Sequence, residues 1–304
     1  MAEIIAGMPE DGRAGIDAAL VRRLIAAQFP QWRHLPVTPV EVDGWDNRTY
    51  RLGDELTVRL PTAAGYVPAV DKENEWLPRL APGLPLAVPS ILGRGEPGEG
   101  YPFPWSVRGW LPGETAVPER IGDLSSFALA VAEFILALQR CDTTGGPLAG
   151  AHSFYRGASP GHYDEDTRRY LSILDGHIDT AKAARVWEAA LEARHTGPPV
   201  WFHGDLAYGN LLMENGKLTA VIDFGTSGVG DPACDLVLAW TMLDDHSREV
   251  FREAVAQDEG TWARARGWAL WKAMLTLAKD LGRADQREVI ERVLAWEPRT
   301  ASGS

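Results

Sequence analysis

Two apolar runs around Asn215-Gly216 confine the middle of this chain, because each run ends on a loop that carries a carboxylate. Val200-Trp201-Phe202-His203 leads into Gly204-Asp205-Leu206-Ala207-Tyr208-Gly209-Asn210, and Leu211-Leu212-Met213 leaves that loop. Beyond the turn, Leu218 to Ile222 returns to Asp223-Phe224-Gly225. Asn-Gly between apolar runs is a strong signal for a two-residue hairpin. Such a hairpin brings its strand ends together, so the pattern predicts that Asn210 and Asp223 converge although 13 residues separate them. Asp205, Asn210 and Asp223 offer hard oxygens, the ligand type that small divalent cations take. Gly, Asn and Asp also populate turns for backbone reasons alone. What separates chemistry from turn formation here is that both stretches occur together and in order.

Composition narrows the class. The chain has 304 residues, 45% hydrophobic and 24% charged, as in an ordinary globular protein with one large core or two modest ones. Cys141 and Cys234 are too few for a disulfide framework or a cysteine zinc site and read as packed thiols. A formal net charge of −12 argues against nucleic acid or anionic membrane as partner, since both are bound by clustered Lys and Arg. That balance permits a cationic substrate and equally serves solubility. No secretory signal layout and no membrane-length apolar run is evident, so the expected location is cytoplasmic.

Along the chain, residues 16–29 carry helical spacing at Ile16, Leu20, Leu24 and Ala27. Short antiparallel strands are predicted at 40–42, 49–52 and 56–60, a helix at 71–80 despite Pro78, and further strands at 88–92 and 105–111. After Pro112-Gly113 the character changes. Leu124, Phe127, Val131, Phe134, Ile135 and Leu138 fall on one helical stripe, predicting a helix over 123–140. Residues 142–162 read as a long loop, and helices are expected at 164–175, 181–194, 233–243, 247–256 and 261–280, with a frayed tail at 301–304. The reading is α+β with two lobes: 1–111, a small antiparallel sheet, and 112–304, mainly helical.

H-x-D-L-x-x-x-N followed by D-F-G has the spacing of the catalytic and metal-binding segments of kinases. More narrowly, His203-Gly204-Asp205-Leu206-x-x-Gly209-Asn210, Gly44-Trp45-Asp46-Asn47-Arg48-Thr49-Tyr50-Arg51-Leu52, Lys72-Glu73-x-x-x-Leu77-x-x-Leu80 and Asp231-Pro232-x-x-Asp235-Leu236 resemble the aminoglycoside phosphotransferase family, over roughly residues 35–280. The resemblance implies a protein-kinase-like fold in which the first lobe binds nucleotide. It implies that the loop around Asn47 covers the phosphates, that Arg59 and Glu73 form the phosphate-positioning ion pair, and that the linker near Gly109 and Leu111 offers backbone hydrogen bonds to adenine. Asp205 becomes the acceptor of the substrate hydroxyl proton, and Asn210 and Asp223 become ligands of Mg2+, with ATP or GTP as co-substrate. The acceptor implied is a hydroxyl of an aminoglycoside or related antibiotic, and the protein a monomer or weak dimer.

Two positions depart from kinase patterns. Arg59 stands where a Lys is expected on the third strand, and its planar fork binds phosphate differently. The phosphate loop has Gly44 alone instead of several glycines. Between Gly225 and Asp231 there is no room for a long activation segment, and Gly204 replaces the Arg that would read a phosphorylated loop, so a protein kinase is disfavoured. His203 is expected to brace the loop, Asp235 to support its backbone, and Trp268 and Trp271 to pack in the core. The alternatives are a kinase of an amino alcohol, sugar or macrolide, a nucleotide-binding pseudokinase, and a metal-dependent hydrolase, for which no H-E-x-x-H spacing is present. Asp244, Asp245, Glu249, Glu253, Asp258 and Glu259 are either a steering surface for a cationic acceptor or a solvated helix face.

Overall fold

Alternation of apolar and polar residues along short strands shapes the first unit of the protein. A computed structural model describes residues 15–41, 43–44 and 46–296. In it β1 (Val37–Pro39), β2 (Asn47–Leu52), β3 (Leu56–Pro61), β4 (Ile91–Gly95) and β5 (Trp105–Gly109) form an antiparallel sheet in the order β1-β2-β3-β5-β4. Tyr50, Leu52, Val58, Leu60, Trp105 and Val107 take one face and pack with Leu20, Val21, Leu24 and Ile25 of helix α1 (Ala18–Gln28). The alternate positions, Thr57, Arg59, Ser106 and Arg108, point to the opposite face, where helix α2 (Val67–Leu80) supplies Glu73. A sheet with an apolar face and a charged face is the direct result of period-two patterning, and here both faces are covered.

The strand expected at 40–42 is not formed at Val40 and Glu41, and Val42 lies outside the described residues. β1 sits three residues earlier, in register with β2 through Val37 opposite Leu52. Asp43 holds the connection instead: its carboxylate accepts from Thr49 N–H at 2.9 Å and from Arg48 Nη1 at 2.8 Å. Trp45 and the tail at 301–304 also lie outside the described residues. The strand expected at 88–92 begins at Ile91 and carries a register shift between Ile91 and Gly93.

The chain divides after Gly113. Residues up to Gly113 and Ala220–Gly225 form one compact unit; Glu114–Thr219 and the chain from Thr226 onward form the other. The segment bearing Asp223 thus belongs with the sheet unit and not with the helical part in which the 112–304 reading put it. The second unit holds α3 (Leu124–Gln139), α4 (Asp164–Ile173), α5 (Thr180–Glu192), α6 (Leu238–Thr241), α7 (Asp245–Val255), α8 (Glu259–Lys279) and α9 (Ala284–Ala295). Asp123, Asp179, Asp244 and Asp258 cap α3, α5, α7 and α8 by accepting backbone N–H groups. The expected helix at 233–243 is a 3-10 segment, Pro232–Val237, before the short α6. α9 was not expected; it buries Val289, Ile290, Val293 and Leu294 on one stripe.

Short strands β6 (Glu114–Thr115), β7 (Val200–Phe202), β8 (Leu211–Glu214), β9 (Lys217–Val221) and β10 (Gly228–Gly230) carry the loops of interest. β8 and β9 are joined by Asn215 (φ 51°) and Gly216 (φ 76°), the positive pair that a type I′ turn requires. No helix among the described residues is long and apolar enough to cross a membrane.

Candidate active site

Charges on the polar face of the sheet organise the first set of residues. Glu73, 3% exposed, accepts a bidentate pair from Arg108, Nη2 to Oε2 at 2.7 Å and Nη1 to Oε1 at 3.1 Å. Its Oε1 also accepts the Phe224 N–H at 3.1 Å, and Arg59 Nη1 stands 3.6 Å away. Burial works against the charge of Glu73, but Arg108, then Arg59 and Lys72, hold its carboxyl down at about 2. The ion pair expected between Arg59 and Glu73 is therefore present as the longer arm of a cluster whose close pair is Glu73 with Arg108.

Arg59 reaches further. Its Nη2 lies 3.4 Å from Asp223 Oδ1 and 3.9 Å from Asp46 Oδ1, so one end of the guanidinium serves two carboxylates. Burial opposes its charge, but Asp223, Glu73 and Asp46 together raise its pKa above the ordinary arginine value. Asp46 shows the reverse: burial and then repulsion by Asp223 push its carboxyl up, against the pull of Arg59. Burial lowers Lys72 to about 8 despite the attraction of Glu73 and Asp223. Asp223 itself has φ 65°, a left-handed backbone that a non-glycine residue adopts at a cost.

The remaining sites expected in this unit are placed as follows. Asn47 is the first residue of β2, opposite Pro61 and buried. Gly109 closes β5 and donates its N–H to Ser90 O at 3.0 Å, while Trp110 N–H donates to Glu55 O at 2.7 Å. Leu111 follows, half-buried and outside any helix or strand.

The second unit fixes the loop bearing Asp205. Asp235, buried, accepts His203 N–H and Gly204 N–H, each at 2.7 Å, one on each carboxylate oxygen. It supports the loop backbone, as its position in the sequence predicts. His203 is fully buried and its Nδ1 accepts Asp205 N–H at 3.2 Å, while Thr226 Oγ1 donates to His203 O at 2.9 Å. Gly204 has φ 85°, and a Cβ there would stand 3.0 Å from Thr226 O and 3.2 Å from Arg156 Cβ. Packing and backbone conformation both demand glycine at this position. The buried pair Asp231 and Arg264, 2.6 and 3.1 Å, anchors the segment that follows.

On this pinned loop the Asp205 side chain keeps 41% of its surface exposed. Asn210 Nδ2 donates to Asp205 O at 2.9 Å and to Asp205 Oδ2 at 3.1 Å. Lys272 Nζ, from α8, lies 4.0 Å from Asp205 Oδ1. One oxygen of the Asp205 carboxylate thus faces an amide and the other the Lys272 amino group. Asn210, by spending its N–H groups on Asp205, leaves its carbonyl oxygen, a hard donor, for another partner. Among the described residues no cluster of three or more His, Cys, Asp and Glu gathers as a metal site.

Sequence reasoning brought out Arg59, Glu73, Asp205, Asn210 and Asp223 but missed Asp46, Arg108 and Lys272. Arg108 was legible: in Trp105-Ser106-Val107-Arg108 it alternates with the apolar residues as Arg59 does in β3. Lys272 gives no local signal, because it follows the buried Trp271 on a helix 67 residues after Asp205.

The acidic run at 244–259 is largely committed elsewhere. Asp244 and Asp258 cap helices, Asp245 pairs with Arg248 at 2.9 Å and Glu259 pairs with Arg252. Trp268 and Trp271 are 2% and 1% exposed, the core role expected of them.

Residues 37–268 match the sequence model of the phosphotransferase enzyme family. Over 76 residues the chain is 37% identical to an aminoglycoside 3'-phosphotransferase of Escherichia coli, a match covering 25% of this chain and 28% of that relative. In fold it is similar to the GDP complex of aminoglycoside 2'-phosphotransferase-IIIa, with a TM-score of 0.66 at 16% identity, over 91% of this chain and 97% of the other. It is also similar to the apoenzyme of macrolide 2'-phosphotransferase MphH from Brachybacterium faecium, with a TM-score of 0.58 at 22% identity, over 92% and 99% of the two chains.

Proposed function

The chain belongs to the phosphotransferase enzyme family, and from that premise we propose that it transfers the γ-phosphoryl group of ATP, or of GTP, to a hydroxyl of an aminoglycoside or related antibiotic. The observation that carries the reading is Asp205: a carboxylate 41% exposed on a loop whose backbone is fixed by buried Asp235. A base must be open to its substrate yet held in place, and this one is both. Asp205 orients the acceptor hydroxyl and takes its proton as the phosphoryl group departs from the nucleotide. Arg59, kept charged by three carboxylates and seated by Glu73, holds phosphate oxygens. Asn210 and Asp223 are the residues that would hold Mg2+, which would neutralise the charge of the transferring group. Asn47, Gly109 and Leu111 belong to the nucleotide side of the site.

A small-molecule acceptor fits the short segment between Gly225 and Asp231, which leaves no room for a regulated activation loop. The likeness in fold to a macrolide 2'-phosphotransferase supports a second reading, in which the acceptor is a macrolide or another hydroxylated metabolite such as a sugar or amino alcohol. The role is antibiotic resistance in the cytoplasm under the first reading and metabolism under the second. Retention of Asp205, Asn210 and Asp223 favours turnover over a scaffold role.

The test is consumption of ATP and GTP with magnesium across aminoglycosides, macrolides, sugars and amino alcohols, with products weighed by mass spectrometry. Asp205→Asn is expected to lower kcat by about 10²–10⁴ with nucleotide affinity retained. Unchanged turnover in that variant, or no acceptor-dependent consumption by the unaltered protein, refutes the reading.

A further inference from the structure

We propose that Arg59 has a second role besides holding phosphate: it is a fixed internal counter-ion to Asp223, so that a divalent cation binds this carboxylate well only together with the nucleotide. This rests on the reading of Asp223 as a metal ligand. Arg59 Nη2 stands 3.4 Å from Asp223 Oδ1. The other end of the guanidinium is tied, with Nη1 3.6 Å from Glu73 Oε1, and Glu73 is itself held by Arg108 at 2.7 and 3.1 Å. The side chains of Arg59 and Glu73 keep only 15% and 3% of their surface exposed, so this positive charge has no easy way out to solvent. A dication on a carboxylate sits about 2 Å from its oxygen. On Oδ1 of Asp223 it is therefore about 5–6 Å from the guanidinium, which repels it and competes with it for the same oxygen.

The charge balance of the cluster gives the coupling its sign. Arg59, Lys72 and Arg108 act on Asp46, Glu73 and Asp223, one cation for each carboxylate, with Lys72 mostly protonated below its value of about 8. The neighbouring Arg48 is taken up by Asp43 at 2.8 Å. As built, the set is close to neutral, and a dication by itself adds two positive charges that none of these residues offsets. The phosphates of a nucleotide supply the missing negative charge, and they draw on the guanidinium nitrogen that otherwise faces Asp223 and Asp46 at 3.4 and 3.9 Å. Burial and repulsion by Asp223 push the Asp46 carboxyl up, the mark of two like charges that one nitrogen holds together. Such coupling is reciprocal: whatever factor the nucleotide adds to the affinity for the cation, the cation adds to the affinity for the nucleotide.

The probe is Mn2+, whose free form is counted by electron paramagnetic resonance without any need of turnover. It is titrated into the unaltered protein, Arg59→Met, Arg59→Lys and the double variant Arg59→Met with Asp223→Ala, at neutral pH and low salt. ADP and GDP are then added in turn, and the affinity for the metal-nucleotide pair is read by calorimetry. Arg59→Met is expected to bind Mn2+ alone about tenfold more tightly, the effect of removing a like charge about 5–6 Å from a dication even at the dielectric of water. The same variant should bind the metal-nucleotide pair more weakly. A merely structural role for Arg59 weakens both, so the opposite signs separate the two explanations. Arg59→Lys keeps the charge and should keep the weak binding of Mn2+ alone, and the double variant should lose the gain, which assigns it to Asp223. Should Arg59→Met fail to fold, Arg59→Gln removes the charge while keeping a polar end for Glu73, and the same limits apply to it. An affinity for Mn2+ alone within about twofold of the unaltered protein in the neutral variant, or a gain that survives Asp223→Ala, overturns the inference. Failure of the underlying reading looks different: Asp223→Ala alone then leaves the metal-nucleotide affinity unchanged, whatever is done to Arg59.

Discussion

Glu73→Gln removes one charge from the most enclosed cluster in the protein, and its consequences follow from the partners around it. Glu73 and Arg108 are each almost fully buried and bonded bidentately at 2.7 and 3.1 Å. Breaking such a pair leaves an uncompensated guanidinium in the interior, which costs about 3–5 kcal/mol. The acid side gives a second measure. Glu73 moves from 4.5 when unfolded to about 2 when folded, and at about 1.4 kcal/mol for each unit this is on the order of 3 kcal/mol. Between those two values the unfolded chain holds the extra proton, so stability rises with pH through this window. The contribution is complete above pH 4.5 and is lost as pH falls toward about 2. Denaturant titrations of the natural protein and of Glu73→Gln, followed by circular dichroism at neutral pH and at several acid values, should show the variant weaker by about 3–5 kcal/mol at pH 7. The gap should narrow toward the acid end. Replacing both partners, Glu73→Leu with Arg108→Met, should restore most of the stability, because an apolar pair avoids the desolvation of both ions. It should not restore turnover, since Arg59 and the Phe224 N–H lose the carboxylate that seats them. A single variant within about 1 kcal/mol of the natural protein at pH 7, or acid limbs that run parallel in the two proteins, refutes this account.

Three other expectations are open to direct measurement. Asp223→Ala should abolish turnover and weaken MgATP binding in calorimetry, and it should let the Asp46 carboxyl fall back toward its ordinary value because the repelling neighbour is gone; equal MgATP affinities in the two proteins count against the metal-ligand role. Lys72, lowered to about 8 from 10.5, makes stability rise with pH between those values, since only the unfolded chain keeps the proton there; Lys72→Met should flatten that rise and gain about 1–3 kcal/mol at pH 7, and a lower melting temperature at pH 7 defeats the argument. Gly204→Ala forces a side chain into φ 85° against Thr226 O, with an expected loss of about 1–3 kcal/mol and a fall in kcat from displacement of Asp205; melting and turnover equal to those of the natural protein contradict it.

Much of the architecture was legible because it depends on local periodicity. The stripe from Leu124 to Leu138 becomes α3, and Asn215-Gly216 becomes the turn its dipeptide demands. The departures have physical causes. β1 was placed too late because Asp43, through its bonds to Thr49 and Arg48, holds the chain just after the strand without any alternation to mark it. The 3-10 segment at 232–237 stands in the first part of an expected helix: Asp231 caps it by accepting Ala233 N–H while pairing with Arg264, and Asp235 spends its carboxylate on the loop backbone. α9 shows only four buried residues on a short stripe among many charges, and tertiary packing decides it.

The site divides in the same way between what a motif carries and what the fold supplies. Asp205, Asn210 and Asp223 stand in fixed sequence relation, so a motif is enough to propose them. Arg59 was found by strand position, but its environment was not: one guanidinium end shared by Asp46 and Asp223, with Glu73 held chiefly by Arg108, is a property of two strands and a helix meeting. Sharing explains why Arg stands here. A compact ammonium approaches one or two oxygens closely, whereas the fork of Arg59 spans Glu73 on one nitrogen and two carboxylates on the other. Lysine at this position would retain the charge and lose the span. The residue that departs from the kinase pattern is thus matched to its surroundings: Asp46 and Asp223 share one end of its guanidinium and Glu73 stands at the other.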